Sequence, residues 1–210
     1  MPSGRYRRPM FPLGAVLLPA SQLPLQIFEA RYTAMLAEVL DGHREFGVVM
    51  ITRGSEVGGG DQRSDVGTIA QIIEAEQEAG DRWRILAAGT RRFDVVQWLP
   101  DDPYPNAVVR DRSETATTQD PTALAVADVA QSLQRLLLAA RTNGYQVDTL
   151  DAQFTEDVAL GSFQLAGVAP FGSYDRQRVL QVDNPQERLS MVDELIDQMY
   201  KTIIAEAEIR

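Results

Sequence analysis

The stretch FPLGAVLLPASQLPLQIF, residues 11–28, decides what kind of fold this 210-residue chain adopts. It is almost wholly apolar, yet Pro12, Pro19 and Pro24 interrupt it too often for a helix, because proline lacks the backbone donor and clashes with the preceding turn. The backbone there must be extended. The pattern predicts a first strand at residues 15–18 and an extended or edge segment at 24–27, where a proline is tolerated. The period then changes: Tyr32, Met35, Leu36, Val39 and Leu40 recur at helical spacing, Glu29 suits the positive helix start, and Gly42 offers a left-handed stop. One amphipathic helix is expected at 29–41.

Downstream, GVVMI at 47–51 is too short for a stable helix and rich in branched residues, which predicts a buried central strand. A glycine-rich loop follows, and then strands at 68–76, 82–87, 93–98 and 107–110, with a turn at 78–81 around Gly80 and a break at Gly89. Trp83, Ile85 and Ala87 alternate with Arg82 and Arg84, the pattern of a half-buried strand. This half reads as a β-meander or barrel carrying one helix. The polar run SETATTQ at 113–119 lacks periodicity and marks a linker between a β subdomain at 1–112 and a second unit at 120–210. There Asp120 and Pro121 read as the start of a helix whose buried face is Val126, Val129, Leu133, Leu136, Leu137 and Ala140, ending at Gly144. Shorter helices are expected near 155–166 and 174–182. Asn184-Pro185-Gln186-Glu187 then opens a long final helix bearing Leu189, Val192, Leu195, Ile196, Met199 and Ile203.

Composition and missing residue types restrict the chemistry. A net charge of −10 disfavours non-specific nucleic-acid binding, and no apolar run is long enough for a membrane span. The basic residues at 1–10 are not followed by a signal-peptide hydrophobic core, and the absence of cysteine suits a reducing compartment, so a cytoplasmic location is expected. Nucleophilic catalysis needs a nucleophile beside a base. His43 is the only histidine, at a helix end where exposure to solvent is expected, and Lys201 is the sole lysine. Gly58-Gly59-Gly60 is followed by Asp61 and Gln62 instead of a P-loop lysine. Asp101-Asp102 before Pro103 reads as an exposed turn. No metal site and no cofactor are expected. Arg82, Arg84, Arg91 and Arg92 near Trp83, Phe93 and Trp98 form the one basic-aromatic cluster that suggests RNA, although strand alternation favours a barrel core with a solvated rim.

The segment MFPLGAVLLPASQLPLQIFEARY, residues 10–32, resembles the opening of the LON domain, the N-terminal substrate-recognition domain of ATP-dependent Lon proteases. Further matches follow in order: Phe46-Gly47-Val48-Val49, Val57-Gly58, Val66-Gly67-Thr68, Gly89-Thr90-Arg91-Arg92-Phe93 and Pro103-Tyr104. In the helical half the match is looser, at Gln177, Leu180 and Arg188-Leu189. The resemblance implies an α+β architecture, a PUA-like β pseudobarrel with one helix followed by an α-helical bundle subdomain. A full Lon continues into an ATPase and a Ser-Lys protease, whereas this sequence stops at Arg210, so the resemblance implies a non-catalytic protein- or peptide-recognition module. Its expected partners are unfolded or exposed apolar protein segments or a partner protein, in the role of an adaptor or substrate-binding protein in protein quality control. Phe11, Leu25, Phe28 and Tyr32 are the candidate binding residues, with Arg92 and Tyr104 for polar or stacking contacts. Ile27, Phe28, Gly47, Gly67 and Gly89 also have a purely structural reading, through packing or backbone angles. The alternatives are an RNA- or nucleotide-binding PUA-like domain and a small-molecule enzyme using carboxylates between the subdomains.

Overall fold

The computed structural model describes residues 4–53, 62–115, 123–147 and 153–209. The chain divides into two compact units, residues 1–113 and 114–210. The expected loop at Gly58–60, the match at Val57-Gly58 and residues 116–119 of the expected linker lie outside the described residues.

The first unit is built from β1 (Tyr6–Leu13), β2 (Gln22–Ile27), α1 (Ala30–Asp41), β3 (Glu45–Arg53), β4 (Gln62–Gln77), β5 (Trp83–Leu99) and β6 (Asn106–Asp111). The sheet order is β2-β5-β4-β3-β1-β6, and β5 also pairs with β6, so the pairings from β5 through β4, β3, β1 and β6 return to β5. Only β2 stands outside this ring, as an edge strand on β5, which is where Pro24 is tolerated.

Strand alternation explains the apolar text. Met10 and Phe11 point to opposite sides of β1, Met10 into a cluster with Val49, Ile69 and Phe93, and Phe11 into one with Phe46, Tyr32 and Met35. Both faces of β3 are thus covered, which is why GVVMI runs without alternation. α1 contributes Tyr32, Met35, Leu36 and Val39, all buried, each stabilising by about 1.5–3 kcal/mol as an upper estimate.

Four details depart from the sequence expectation. First, the opening strand lies at Tyr6–Leu13 and not at 15–18. Its prolines sit where no partner needs their missing N–H. The Met10 N–H donates to the Pro105 carbonyl at 2.8 Å, so by alternation Pro12 faces that same side past the end of β6, and Pro9 faces β3 ahead of its first paired residue. Val16, Leu17 and Leu18 form a buried loop instead, with the Leu17 carbonyl accepting from Thr68 Oγ1 at 2.6 Å. Second, Gly42 has φ −107°, and the left-handed turn out of α1 is made by Arg44 at φ 58°. Gln71 Nε2 and the Ile72 N–H hold that turn by donating to the Arg44 carbonyl, at 3.1 and 2.8 Å.

Third, Gly89 does not break a strand. β5 runs through it, and a Cβ there would stand 2.2 Å from the Leu18 carbonyl oxygen, so glycine permits the 18–21 loop to pair with β5. The Gly89 N–H donates to the Ser21 carbonyl and its carbonyl accepts from Ala20, both at 2.9 Å.

The second unit contains α2 (Val126–Thr142), α3 (Val158–Val168), α4 (Ser173–Gln181) and α5 (Pro185–Ile209). Here lies the fourth departure: α2 starts at Val126 with Ala125 as its cap residue, whereas Asp120 and Pro121 lie outside the described residues. The Asp128 carboxylate accepts from the Ala125 N–H at 3.2 Å, satisfying the donor at the head of the helix. All six residues expected on the inner face of α2 are buried. Asn184 Oδ1 caps α5 by accepting from the N–H groups of Gln186 and Glu187, at 2.8 and 3.2 Å.

A buried arginine ties this unit together. Arg188 is fully enclosed, its guanidinium carbon 3.8 Å from the Phe163 ring centroid, and it donates to Glu114, Ser162 and the carbonyls of Val182 and Ala159 at 2.8–2.9 Å. With Gln177, Leu180 and Leu189 also buried, the family-like positions of the helical half are core positions.

Candidate peptide-recognition cleft

The helical unit opens an apolar cleft because two of its helices differ in length. Gln186, in the first turn of α5, donates to the carbonyl of Leu124, just ahead of α2, at 2.9 Å, so the two helices begin together. With 25 residues against 17, α5 outruns α2 by roughly 12 Å at 1.5 Å per residue. Its apolar stripe continues beyond the cover. Leu195 and Ile196 are buried, whereas Met199 and Ile203, one and two turns further on, are only half-buried.

Around that uncovered stripe lies a cavity of about 450 Å³. Leu136 and Ala140 of α2, Leu195 of α5 and Phe171 form its base, while Met199, Ile203, Val147 and Pro170 supply walls. Two local devices place the walls. Gly144 at φ 86° turns the chain after α2, and the Tyr145 N–H returns to the Ala140 carbonyl at 3.0 Å. Arg176 caps the end of α3 by donating to the carbonyls of Gly167 and Ala169 at 3.3 and 3.2 Å, which holds Pro170 and Phe171 in position. Burial alone pushes the Arg176 pKa down.

The rim is polar and acidic. Tyr145 donates its hydroxyl to Glu206, and Asp175 pairs with Arg178 at 3.2 Å. Gln198 and Thr202 complete it. The volume falls within the range of small-ligand and side-chain pockets, and the lining suits apolar side chains and disfavours an anionic ligand.

The residues expected to bind divide differently. Phe11, Tyr32, Tyr104 and Arg92 are buried, at 8, 4, 3 and 2 % exposure. The Phe11 and Tyr32 rings stack inside the core with centroids 4.2 Å apart. Tyr104 donates to Glu38 of α1, and burial followed by that bond pushes its pKa up to about 12. These four side chains meet the interior. Leu25 is half-buried on β2, and Phe28 is 64 % exposed just beyond it, so the packing reading of Phe28 does not hold. Ile27 is buried, and a Cβ on Gly47, Gly67 or Gly89 would meet neighbours within 2.2–2.6 Å, so their role is close packing rather than a special φ. The cleft itself was missed. Its signal was the continuation of the α5 stripe to Met199 and Ile203 after the matching face of α2 had ended at Ala140.

Most of the arginine-aromatic cluster is neutralised or enclosed, with Arg82 exposed and Arg92 buried. Arg84 pairs with Glu76, Arg91 lies on Glu45 at 2.7 Å and Asp111 at 3.3 Å, and Phe93 is fully buried. A second, polar cleft of about 460 Å³ at Thr52, Arg63 and Trp98 has its cation engaged, with Arg63 4.6 Å over the Trp98 ring and 3.1 Å from Asp101. His43 and the Asp101-Asp102 turn are exposed. Among the described residues no group of three or more His, Cys, Asp or Glu could hold a metal ion, and no helix is long and apolar enough to cross a membrane.

The family model of the ATP-dependent protease La (LON) substrate-binding domain matches residues 7–198. The chain belongs to the LON substrate-binding domain family. Among curated relatives of this LON domain, a LON peptidase N-terminal domain and RING finger protein of Schizosaccharomyces pombe is 23% identical over 211 residues, covering 86% of this chain and 43% of the relative. A Lon protease of Desulfosudis oleivorans is 24% identical over 190 residues, covering 88% of this chain and 23% of the relative. This chain therefore spans less than half the length of either. Two solved structures share the LON fold. The Lon N-terminal domain protein from Xanthomonas campestris has a TM-score of 0.67 at 24% identity, with 89% of this chain and 96% of that one covered. The N-terminal domain of Mycobacterium avium complex Lon protease has a TM-score of 0.61 at 16% identity, with 91% and 98% covered.

Proposed function

We propose that this LON domain is a non-catalytic recognition module that binds exposed apolar segments of other polypeptides, with the helical cleft as its principal seat. The observation that carries this reading is the open apolar stripe of α5 over a cavity of about 450 Å³. An extended peptide presents alternate side chains about 6.6 Å apart on one face, and burying two or three apolar side chains at about 1.5–3 kcal/mol each, less the ordering cost, supports micromolar binding. On the β unit, Leu25 and Phe28 at the edge strand β2 serve as a lesser contact. In this reading the module works in the cytoplasm as a substrate-binding or adaptor protein in protein quality control. RNA binding has less support, because Arg84 and Arg91 already lie on carboxylates.

The test is fluorescence anisotropy of the full chain with labelled apolar and polar peptides. Apolar peptides are expected to bind saturably in the micromolar range and to lose at least about tenfold in affinity in Ile203→Asp, with an unchanged melting transition. No saturable binding of any apolar peptide to the folded chain sinks the reading. Binding that survives both Ile203→Asp and Met199→Asp removes the cleft as its seat.

A further inference from the structure

We propose that the cleft selects, among apolar segments, those carrying a basic residue beside the apolar anchor, and that Glu206 and Tyr145 together receive that cation. This rests on the cleft being the peptide seat and goes further in naming which peptides it prefers.

The argument begins with the charges around the opening. Among the described residues the lining contains two carboxylates, Asp175 and Glu206, and no lysine, arginine or histidine. Asp175 is already matched by Arg178 at 3.2 Å. Glu206 is different: its described partner is the neutral hydroxyl of Tyr145, which offsets none of its charge. Glu206 is itself exposed at the rim, so its attraction for a cation is sensitive to salt.

Tyr145 adds the second half of the site. Its ring is 40 % exposed and lines the cavity, while its hydroxyl is tied to Glu206. The link holds an aromatic face and a carboxylate side by side at one end of an apolar trough. A guanidinium or ammonium there gains an ion pair with Glu206 and attraction to the ring, and the aliphatic stem of the same side chain continues along Ile203. Glu206 also lies in the last turn of α5, where the helix's terminal carbonyls add further negative potential. An acidic flank placed there would meet repulsion instead, so the site discriminates in both directions.

The experiment uses the full chain and three labelled peptides with one apolar core and a flanking arginine, glutamine or glutamate. Anisotropy titrations at low and physiological salt are expected to rank them arginine over glutamine over glutamate, with roughly a five- to tenfold step between the first two that shrinks as salt rises. Glu206→Gln should erase that step, so that the arginine and glutamine peptides bind the variant alike. Glu194→Gln removes the same charge from an exposed position on another face of α5 and should leave the step intact. Equal binding of all three peptides to the unaltered chain overturns the inference while leaving apolar recognition standing. Loss of the step in Glu194→Gln as much as in Glu206→Gln also overturns it, because the preference would then come from net charge. No binding of any of the three overturns both this inference and the cleft as a peptide seat.

Discussion

The two units treat their apolar surface in opposite ways. In the β unit the strand pairings return to β5, both faces of β3 are covered, and the aromatic side chains of the family-like segments point inward, Phe28 excepted. In the helical unit α5 is longer than the helix it packs on, and among the described residues the surplus apolar stripe is only half-buried. A sheet that closes on itself has a defined amount of surface to bury, whereas a helix can be extended turn by turn past its neighbours without disturbing them. Residues that most resemble the family therefore mark how the β unit is built, and the cleft proposed for binding lies where the resemblance is looser.

The sharpest way to break that comparison is from inside the helical unit. Arg188→Ala removes a fully buried side chain that packs on Phe163 and donates to Glu114, Ser162 and two carbonyls, at an expected cost of roughly 2–5 kcal/mol. Both tryptophans, Trp83 and Trp98, lie in the β unit, while four of the five described helices lie in the other, so two signals separate the units. The far-UV circular dichroism transition should move to lower denaturant while the tryptophan emission transition stays in place. Coincident movement of both would show the units to be one cooperative block. The mirror experiment is Gly89→Ala, which forces a Cβ against the Leu18 carbonyl. Backbone displacement of this kind costs about 1–3 kcal/mol, and here the tryptophan transition should move.

How much of this was legible beforehand varies with the range over which the physics acts. Local periodicity located α1, the inner face of α2 and the Asn184 cap of α5, because each depends on residues within one or two turns. β1 was misplaced because residues 16–18 are as apolar as a core strand. Their burial as a loop depends on Thr68 and Gly89, which are distant in sequence. Gly89 looked like a break because glycine weakens a strand locally, and only the approach of the 18–21 loop shows why it is needed. The candidate binding residues come from several family-like segments, and three of their four aromatic side chains, Phe11, Tyr32 and Tyr104, are core. The cleft required comparing the lengths of two helices some 60 residues apart in sequence, a relation that no single window contains.

Smaller effects refine the closed side of the comparison. Glu45 receives hydrogen bonds from Arg91 at 2.7 and 3.0 Å and an ion pair from Arg8 at 3.1 Å. The bond from Arg91, helped by the two positive charges, holds its carboxyl below the ordinary 4.5 despite partial burial. A folded pKa below the unfolded one means that the stabilisation is complete above the unfolded value and disappears as pH falls through the folded one. Glu45→Gln should therefore cost about 1 kcal/mol at neutral pH, and the difference from the unaltered chain should vanish in acid, as read from denaturant midpoints across pH.

The smallest expected effect concerns Phe28, the exposed exception. Its ring is 64 % exposed at the end of the edge strand, so Phe28→Ser should change stability by no more than about 0.5 kcal/mol. Binding is the informative readout. With the cleft as principal seat, Phe28→Ser should weaken an apolar peptide by at most about threefold, against the tenfold or greater loss expected for Ile203→Asp. If the order were reversed, the β unit would carry the recognition surface after all, and the uncovered stripe of α5 would need another occupant.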